Sequence, residues 1–347
     1  MTKKYELAVF IGRFEPFHNG HLDAARKALK IADRLLFIIG SANLAKSSKN
    51  PFRAAERRLM IEDSLHGEPI LFEYVGDQPE EDWVSEVQTK IGKHQEQDRK
   101  ICIVGHDKDA STYYLRGLFP QWKFEDMGET PVVVNNKPID ATRVRELMFT
   151  GNWSFVSGAV PPAVFSRLQS WAKTEDFKNL AEEFEYYAKY KKAWANSPHE
   201  PKHITTDAVV VQSGHILMIE RGEAPGKGLL ALPGGFLAEG VYIKDNAIKE
   251  LKEETSIKLQ EEILNRCIVA HEYFDNPFRS QRGRVVTHAF LFQLDDTKPL
   301  PPVRGADDAK EAMWLPFNEV LNHPEDLFED HHQIITVMLR KLRSKSY

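Results

Sequence analysis

The sequence predicts a two-domain α/β protein: an N-terminal doubly wound parallel sheet, then a smaller C-terminal α+β domain. Three observations carry this. At 347 residues the chain exceeds what one hydrophobic core usually organises. From Tyr5 to about Gly128, short apolar runs alternate with stretches of helical periodicity, the pattern of βαβ units in a parallel sheet. Beyond Lys202 the pattern turns β-rich around a single helix.

The first-domain strands are expected at residues 7–12, 35–40, 70–75 and 101–105, each a short apolar run. After the first of them, Leu22, Ala25, Leu29 and Ala32 recur at helical spacing. Residues 164–196 read as helix throughout, dense in Lys, Glu, Tyr and Trp, and Ser197-Pro198 with Pro201 ends it. Strands follow at 204–212, 215–221 and 285–294, with a helix at 243–255 and a Pro-rich loop at 299–302. The expected boundaries are 1–160, a helical connector at 161–201, and 202–347. There is no internal repeat and no low-complexity tract.

Composition describes an ordinary globular chain: 42% hydrophobic, 28% charged and 10% aromatic. A net charge of −5 leaves no basic footprint for nucleic acid, so phosphate binding must come from local sites. Cys102 and Cys267 stand in apolar runs without metal-ligand spacing and read as buried thiols. No apolar stretch is long enough for a membrane span and no signal region is visible, so a cytoplasmic protein is expected, without nucleic-acid or membrane partners and working as a homo-oligomer.

The first strand runs into Gly12-Arg13-Phe14-Glu15-Pro16-Phe17-His18-Asn19-Gly20-His21, a strand, a turn and a helix start in succession. Unpaired amides at a helix start attract phosphate. His18 and His21, three apart, share a face there, and Gly20 allows close approach. Imidazoles so placed can donate to a triphosphate and offset charge growing on a leaving pyrophosphate. Gly105 and Asp107, after the fourth strand, lie at the carboxyl edge of the sheet, where open α/β sheets bind ligands. The GxGxxG and GxxxxGK[ST] motifs are absent, which argues against dehydrogenases and P-loop NTPases.

Residues His18 to His21 resemble the HxGH signature of the nucleotidyltransferase superfamily, whose fold is Rossmann-like. Arg13 directly after the strand, with Asn50-Pro51-Phe52 and Glu56-Arg57, is similar specifically to archaeal-type nicotinamide mononucleotide adenylyltransferases. Residues 139–145 resemble that superfamily's ISSTxxR signature, with Asp140 and Ala141 in place of two serines and Thr142 and Arg145 kept. The resemblance implies ATP phosphates held by Thr142, Arg143 and Arg145, a nucleotide pocket including Gly12 and Phe14, and Trp83 stacked on nicotinamide. It implies direct attack of the mononucleotide phosphate on the α-phosphorus of ATP with magnesium on the phosphates. No side-chain nucleophile is needed. Arg13, His18, His21 and Arg145 would supply positioning and charge stabilisation.

In the second domain Leu232-Pro233-Gly234-Gly235-Phe236 leads into a helix carrying Glu250, Glu253 and Glu254. At spacings i, i+3 and i+4 their charges crowd one face and repel unless a cation sits among them. Carboxylate oxygens suit magnesium or manganese. The segment resembles the Nudix box, with Gly235 as its glycine, and departs from it at Val241, Lys249 and Ser256. The loop 273–284, carrying Arg279, Arg282 and Arg284 among aromatics, resembles that of Nudix domains fused to this adenylyltransferase, which implies ADP-ribose as substrate. Its arginines can fork onto a diphosphate and its aromatics stack on adenine. Trp314-Leu315-Pro316 also resembles the late Nudix pattern. Hydrolysis to AMP and ribose 5-phosphate would follow, with Glu250, Glu254 or a loop carboxylate as general base.

Two alternatives stand. One is a superfamily transferase acting on nicotinate mononucleotide, phosphopantetheine or FMN. The other is a catalytically weak Nudix domain, through the loss of a carboxylate at Val241, that senses ADP-ribose.

Overall fold

The computed structural model describes residues 3–95, 100–106, 117–128, 133–134 and 137–344. The chain divides into two compact units, 1–180 and 181–347.

In the first unit the strands β1 (Tyr5–Gly12), β2 (Ala32–Ile39), β3 (Ile70–Tyr74), β4 (Ile101–Gly105) and β5 (Lys123–Asp126) form an all-parallel sheet in the order β3-β2-β1-β4-β5. The central strand β1 is buried almost from end to end, as both-face coverage requires. Successive β1 side chains point to opposite faces and feed two cores. Ala8 and Phe10 join Ala25, Ala28 and Leu29 of α1 (Asn19–Ile31); Leu7, Val9 and Ile11 join Val87 and Ile91 of α3 (Glu80–Gly92). Helices α2 (Ala54–Ser64), α4 (Ala141–Phe149), α5 (Trp153–Ala159) and α6 (Pro162–Trp171) pack on the α1 side through Ile61, Val144, Val156, Val164 and Leu168. Strands β6 (Val133–Val134) and β7 (Lys137–Pro138) pair apart from the sheet.

The stretch read as one helix is two: α6, then α7 (Glu175–Ala193), broken at 172–174. The limit between the two units falls within α7.

The second unit holds a mixed sheet in which β8 (Lys202–Gln212) lies parallel to β13 (Arg284–Gln293) and every other described pairing is antiparallel. Its path is β10 (Leu230–Ala231), β9 (His215–Arg221), β8, β13, β12 (Ile268–Phe274); β11 (Gly234–Phe236) pairs with β8 and β14 (Ala309–Pro316) with β9. Helix α8 (Ile243–Thr255) covers one face through Ala247, Ile248 and Leu251. The C-terminal α11 (His331–Ser344) covers the other through Ile334, Ile335 and Met338, with α10 (Phe317–Asn322) beside it, while α9 (Glu261–Cys267) joins the α8 face through Leu264. Cys102 is buried, but Cys267, ending the two-turn α9, is only half-buried, contrary to the expectation that both thiols are interior. No helix among the described residues is long and apolar enough to cross a membrane.

Candidate active sites

At the carboxyl edge of the parallel sheet, the loops after β1, β2 and β3 are stitched together. Gly40 donates to the Gly12 carbonyl at 2.9 Å, and Ala42 to Val75 at 3.1 Å. Strand order reverses direction between β1 and β4, the position where such sheets open a crevice. Gly105 ends β4, one residue beyond the Phe10–Val104 pairing with β1; Asp107 lies outside the described residues.

The Arg57 guanidinium, 1% exposed, is the clasp of this edge: it donates to the carbonyls of Arg13 (2.7 Å), Gly40 (2.7 Å) and Ser41 (3.2 Å). Its Nε lies 3.1 Å from Glu15, equally buried. Burial pushes the Glu15 carboxyl up to about 7, against the pull of Arg57. Glu15 also accepts from the Phe52 amide (3.2 Å), while its own carbonyl receives Arg145 at 2.7 Å. Arg145 donates to the Thr142 hydroxyl as well, at 3.1 Å. Its pKa falls to about 10 through burial and then through the nearby Arg13 charge. Two arginine charges close enough to act on each other leave an excess of positive charge suited to phosphate. Arg13 itself is steadied by Asn50 (3.1 Å).

His18 caps α1. Its Nδ1 accepts the Gly20 amide at 3.1 Å and, more weakly, that of His21 at 3.4 Å. Those are amides that the sequence reading offered to phosphate; the imidazole takes them instead. In return His21 Nδ1 accepts from the His18 amide at 3.3 Å, and the rings stack 3.6 Å apart. Since each Nδ1 accepts, each neutral ring carries its proton on Nε2, so both imidazoles are set as Nε2–H donors. Phe14, expected in the nucleotide pocket, is buried instead at φ 56°, its ring 5.0 Å from His21. A Cβ on Gly12 would come within 2.9 Å of that ring, which makes glycine the residue that fits.

Asp140 caps α4 through the Arg143 amide (2.8 Å), while the Arg143 side chain pairs at the surface with Glu146 (3.1 Å). Within this signature, then, Arg145 turns inward and Arg143 outward. Trp83, in the first turn of α3, is half-buried against Phe119 at 5.8 Å.

In the second unit, β11 runs so close to its neighbours at its two glycines that no side chain fits there. A Cβ on Gly234 would lie 2.2 Å from the Thr206 carbonyl, and one on Gly235 2.6 Å from Glu250. The Gly234 amide donates to Glu254 at 2.8 Å. Buried Asn246 bonds Thr206 (2.9 Å) and the Ala238 amide (3.0 Å), fixing the loop to α8. Glu254 is buried, and burial raises its pKa to about 8, against the Gly234 hydrogen bond and with the help of Glu250. Glu250 is raised by burial also. A carboxylate whose charge is opposed by burial and by its neighbour's carboxylate fits a hard divalent cation. Glu253 is not brought to them: it is exposed and pairs with Lys249 at 2.7 Å.

The three loop arginines part company. Arg279, 9% exposed, forks onto Asp330 at 2.8 and 2.9 Å. Arg282 pairs with Glu329 at 3.2 Å, and Arg284 with Asp275 at 3.5 Å at the base of the loop. Arg221, at the end of β9, was not singled out in the sequence. Burial and the Arg282 charge lower its pKa, and its own charge acts on Glu254. Asp207, Glu329 and His331 were missed too. Nothing local marks them; β8 and the turn before α11 bring them together.

Residues 9–147 match the Cytidylyltransferase-like family and residues 201–337 the NUDIX domain. Fold and sites thus define a two-part nucleotide enzyme, a transferase-type unit joined to a Nudix unit. A bifunctional NMN adenylyltransferase/ADP ribose pyrophosphatase from Francisella tularensis superposes with a TM-score of 0.87 at 36% identity, covering 97% of this chain and 99% of that one. A structure of that enzyme with AMP and a Mn ion matches with the same TM-score at 35% identity, covering 97% of this chain and 99% of that one. The Nicotinamide/nicotinic acid mononucleotide adenylyltransferase of Acinetobacter baylyi is 31% identical over 185 residues, 52% of this chain and 94% of its own. The ADP-ribose pyrophosphatase of Methanocaldococcus jannaschii is 31% identical over 137 residues, 40% of this chain and 73% of its own. The chain belongs to the family of bifunctional NMN adenylyltransferase/ADP ribose pyrophosphatases.

Proposed function

We propose that the first unit transfers AMP from ATP to nicotinamide mononucleotide, giving NAD and pyrophosphate, and that the second hydrolyses ADP-ribose to AMP and ribose 5-phosphate. Likeness to a bifunctional enzyme across nearly the whole of both chains carries this reading. In the first site, His18 and His21 donate from Nε2 to the phosphates, Arg13 and Arg145 neutralise them, and Thr142 orients Arg145. The Glu15 carboxylate there is committed to Arg57 and the Phe52 amide, so magnesium enters with the nucleotide. Trp83 stacks on nicotinamide.

In the second site, Glu250 and Glu254 hold magnesium or manganese, while Glu253 on the same helix stays with Lys249. Bound there, the ion polarises a phosphoryl oxygen and acidifies water. Arg282 and Arg221 receive the diphosphate. The sensor alternative is less favoured, since the Glu250–Glu254 pair is kept despite Val241. Both activities are tested on the purified chain with manganese or magnesium: NAD formed from ATP and nicotinamide mononucleotide, and AMP released from ADP-ribose. A chain that makes NAD but releases no AMP at any metal concentration restores the sensor. Hydrolysing NAD as fast as ADP-ribose would also count against the reading, because the second unit would undo the work of the first.

A further inference from the structure

One aromatic group in the second unit has no part in its cores. The last turns of α7 bring Tyr190 and Trp194 onto His203 at the start of β8. The Tyr190 hydroxyl lies 2.9 Å from His203 Nε2, and the Trp194 ring meets the imidazole edge-on at 5.5 Å. From the other side Phe236 meets the same imidazole edge-on at 5.6 Å. Trp194 is 45% exposed and Phe236 40% exposed, so both rings keep open surface around a fixed imidazole. An aromatic ring with open surface offers a flat ring a place to stack.

Position says what that is. Phe236 directly follows Gly235, which lies against Glu250, and the Arg282 guanidinium sits 5.2 Å over the Phe236 ring. Arg282 acts in turn on Arg221, and Arg221 on Glu254. From the open rings to the carboxylates the order is therefore aromatic, cationic, anionic. That order mirrors base, diphosphate and metal in a nucleoside diphosphate derivative.

We propose that Trp194 and Phe236, braced by Tyr190 and His203, form the wall that takes the purine base of the hydrolase substrate. The end of α7 is thereby a specificity element of the second unit. This rests on the reading of that unit as an ADP-ribose hydrolase.

The test uses the full chain and two substrates, ADP-ribose and the base-less diribosyl diphosphate. For Trp194→Ala and Phe236→Ala, the KM for ADP-ribose rises at least about fivefold, the scale of one lost base–aromatic stack, with kcat held. Hydrolysis of the base-less diphosphate is unchanged, and Trp194→Phe recovers most of the loss. Equal weakening on both substrates means the rings only hold the loop, and the proposal falls; it falls also if neither changes. A second readout is etheno-ADP-ribose with calcium, whose fluorescence an indole in contact quenches. A wild-type chain that hydrolyses neither compound, yet loses this quenching in Trp194→Ala, defeats the hydrolase reading while the wall stands. Without hydrolysis, quenching the same in wild type and variant defeats both.

Discussion

Arg57 and Glu15 show how a buried ion pair shapes a site without touching substrate. Both are 1% exposed, and the arginine holds three loop carbonyls. Glu15→Ala leaves that guanidinium buried without its carboxylate, and removing one member of such a pair costs on the order of 3 kcal/mol. The expected outcome is a lower denaturant midpoint for the first unit together with weaker NAD synthesis. In the second unit His331 works against the fold in acid. Its Nδ1 accepts the Leu232 amide at 2.9 Å, and burial lowers its pKa to about 3. The unfolded ring titrates near 6.5, so the unfolded chain takes up a proton that the folded one refuses. The histidine's contribution is full above pH 6.5 and declines as pH falls, by about 2 kcal/mol at pH 5. His331→Asn keeps an acceptor and does not titrate. Its unfolding midpoint should therefore vary less between pH 7 and 5 than that of the wild type, and parallel curves would clear His331. At this scale the sequence discloses the motif residues His18, His21, Arg145, Glu250 and Glu254. It hides their supports, because Glu15, Asp207 and Glu329 gain meaning only from what the fold sets beside them.

Helix α8 was readable to the residue, because apolar spacing and the glycine pair before it mark its face and its start. Its end carries a cost. Ser256 closes the helix at φ 52°, a left-handed conformation that glycine adopts freely and serine does not. Ser256→Gly should raise stability by about 1 kcal/mol, seen as a higher denaturant midpoint with hydrolysis unchanged; a lower midpoint would mean that the serine side chain has an anchoring role. Strands β12 and β14 were harder to see. Both mix charged and apolar residues, and β14 pairs with β9, far earlier in the chain. The break at 172–174 was hidden as well, since helical periodicity continues on either side of it.

For the whole molecule the expectation is independence of the two chemistries. Glu254→Gln keeps shape and removes the charge that a cation would meet, so AMP release from ADP-ribose should fall by about 10² or more while NAD synthesis holds. His21→Ala should give the reverse, a loss of about 10² in kcat for NAD synthesis with hydrolysis intact. A folded Glu254→Gln chain that has lost both activities would sink the two-site account. The parallel first sheet and the change to a β-rich second half were legible from periodicity.

Where the two halves can be separated is set by α7. Glu183 is buried and accepts the Gly226 amide at 3.0 Å, Tyr187 is 5% exposed, and Tyr190 reaches His203, all within the second unit. A recombination that carried off the hydrolase from residue 202 onward would strand these partners with the wrong gene. One that cut ahead of residue 175 would transplant them whole. The natural unit of exchange is thus longer than the Nudix match itself, and a hybrid joined at residue 202 should express as aggregate where one joined at 175 yields soluble, active hydrolase.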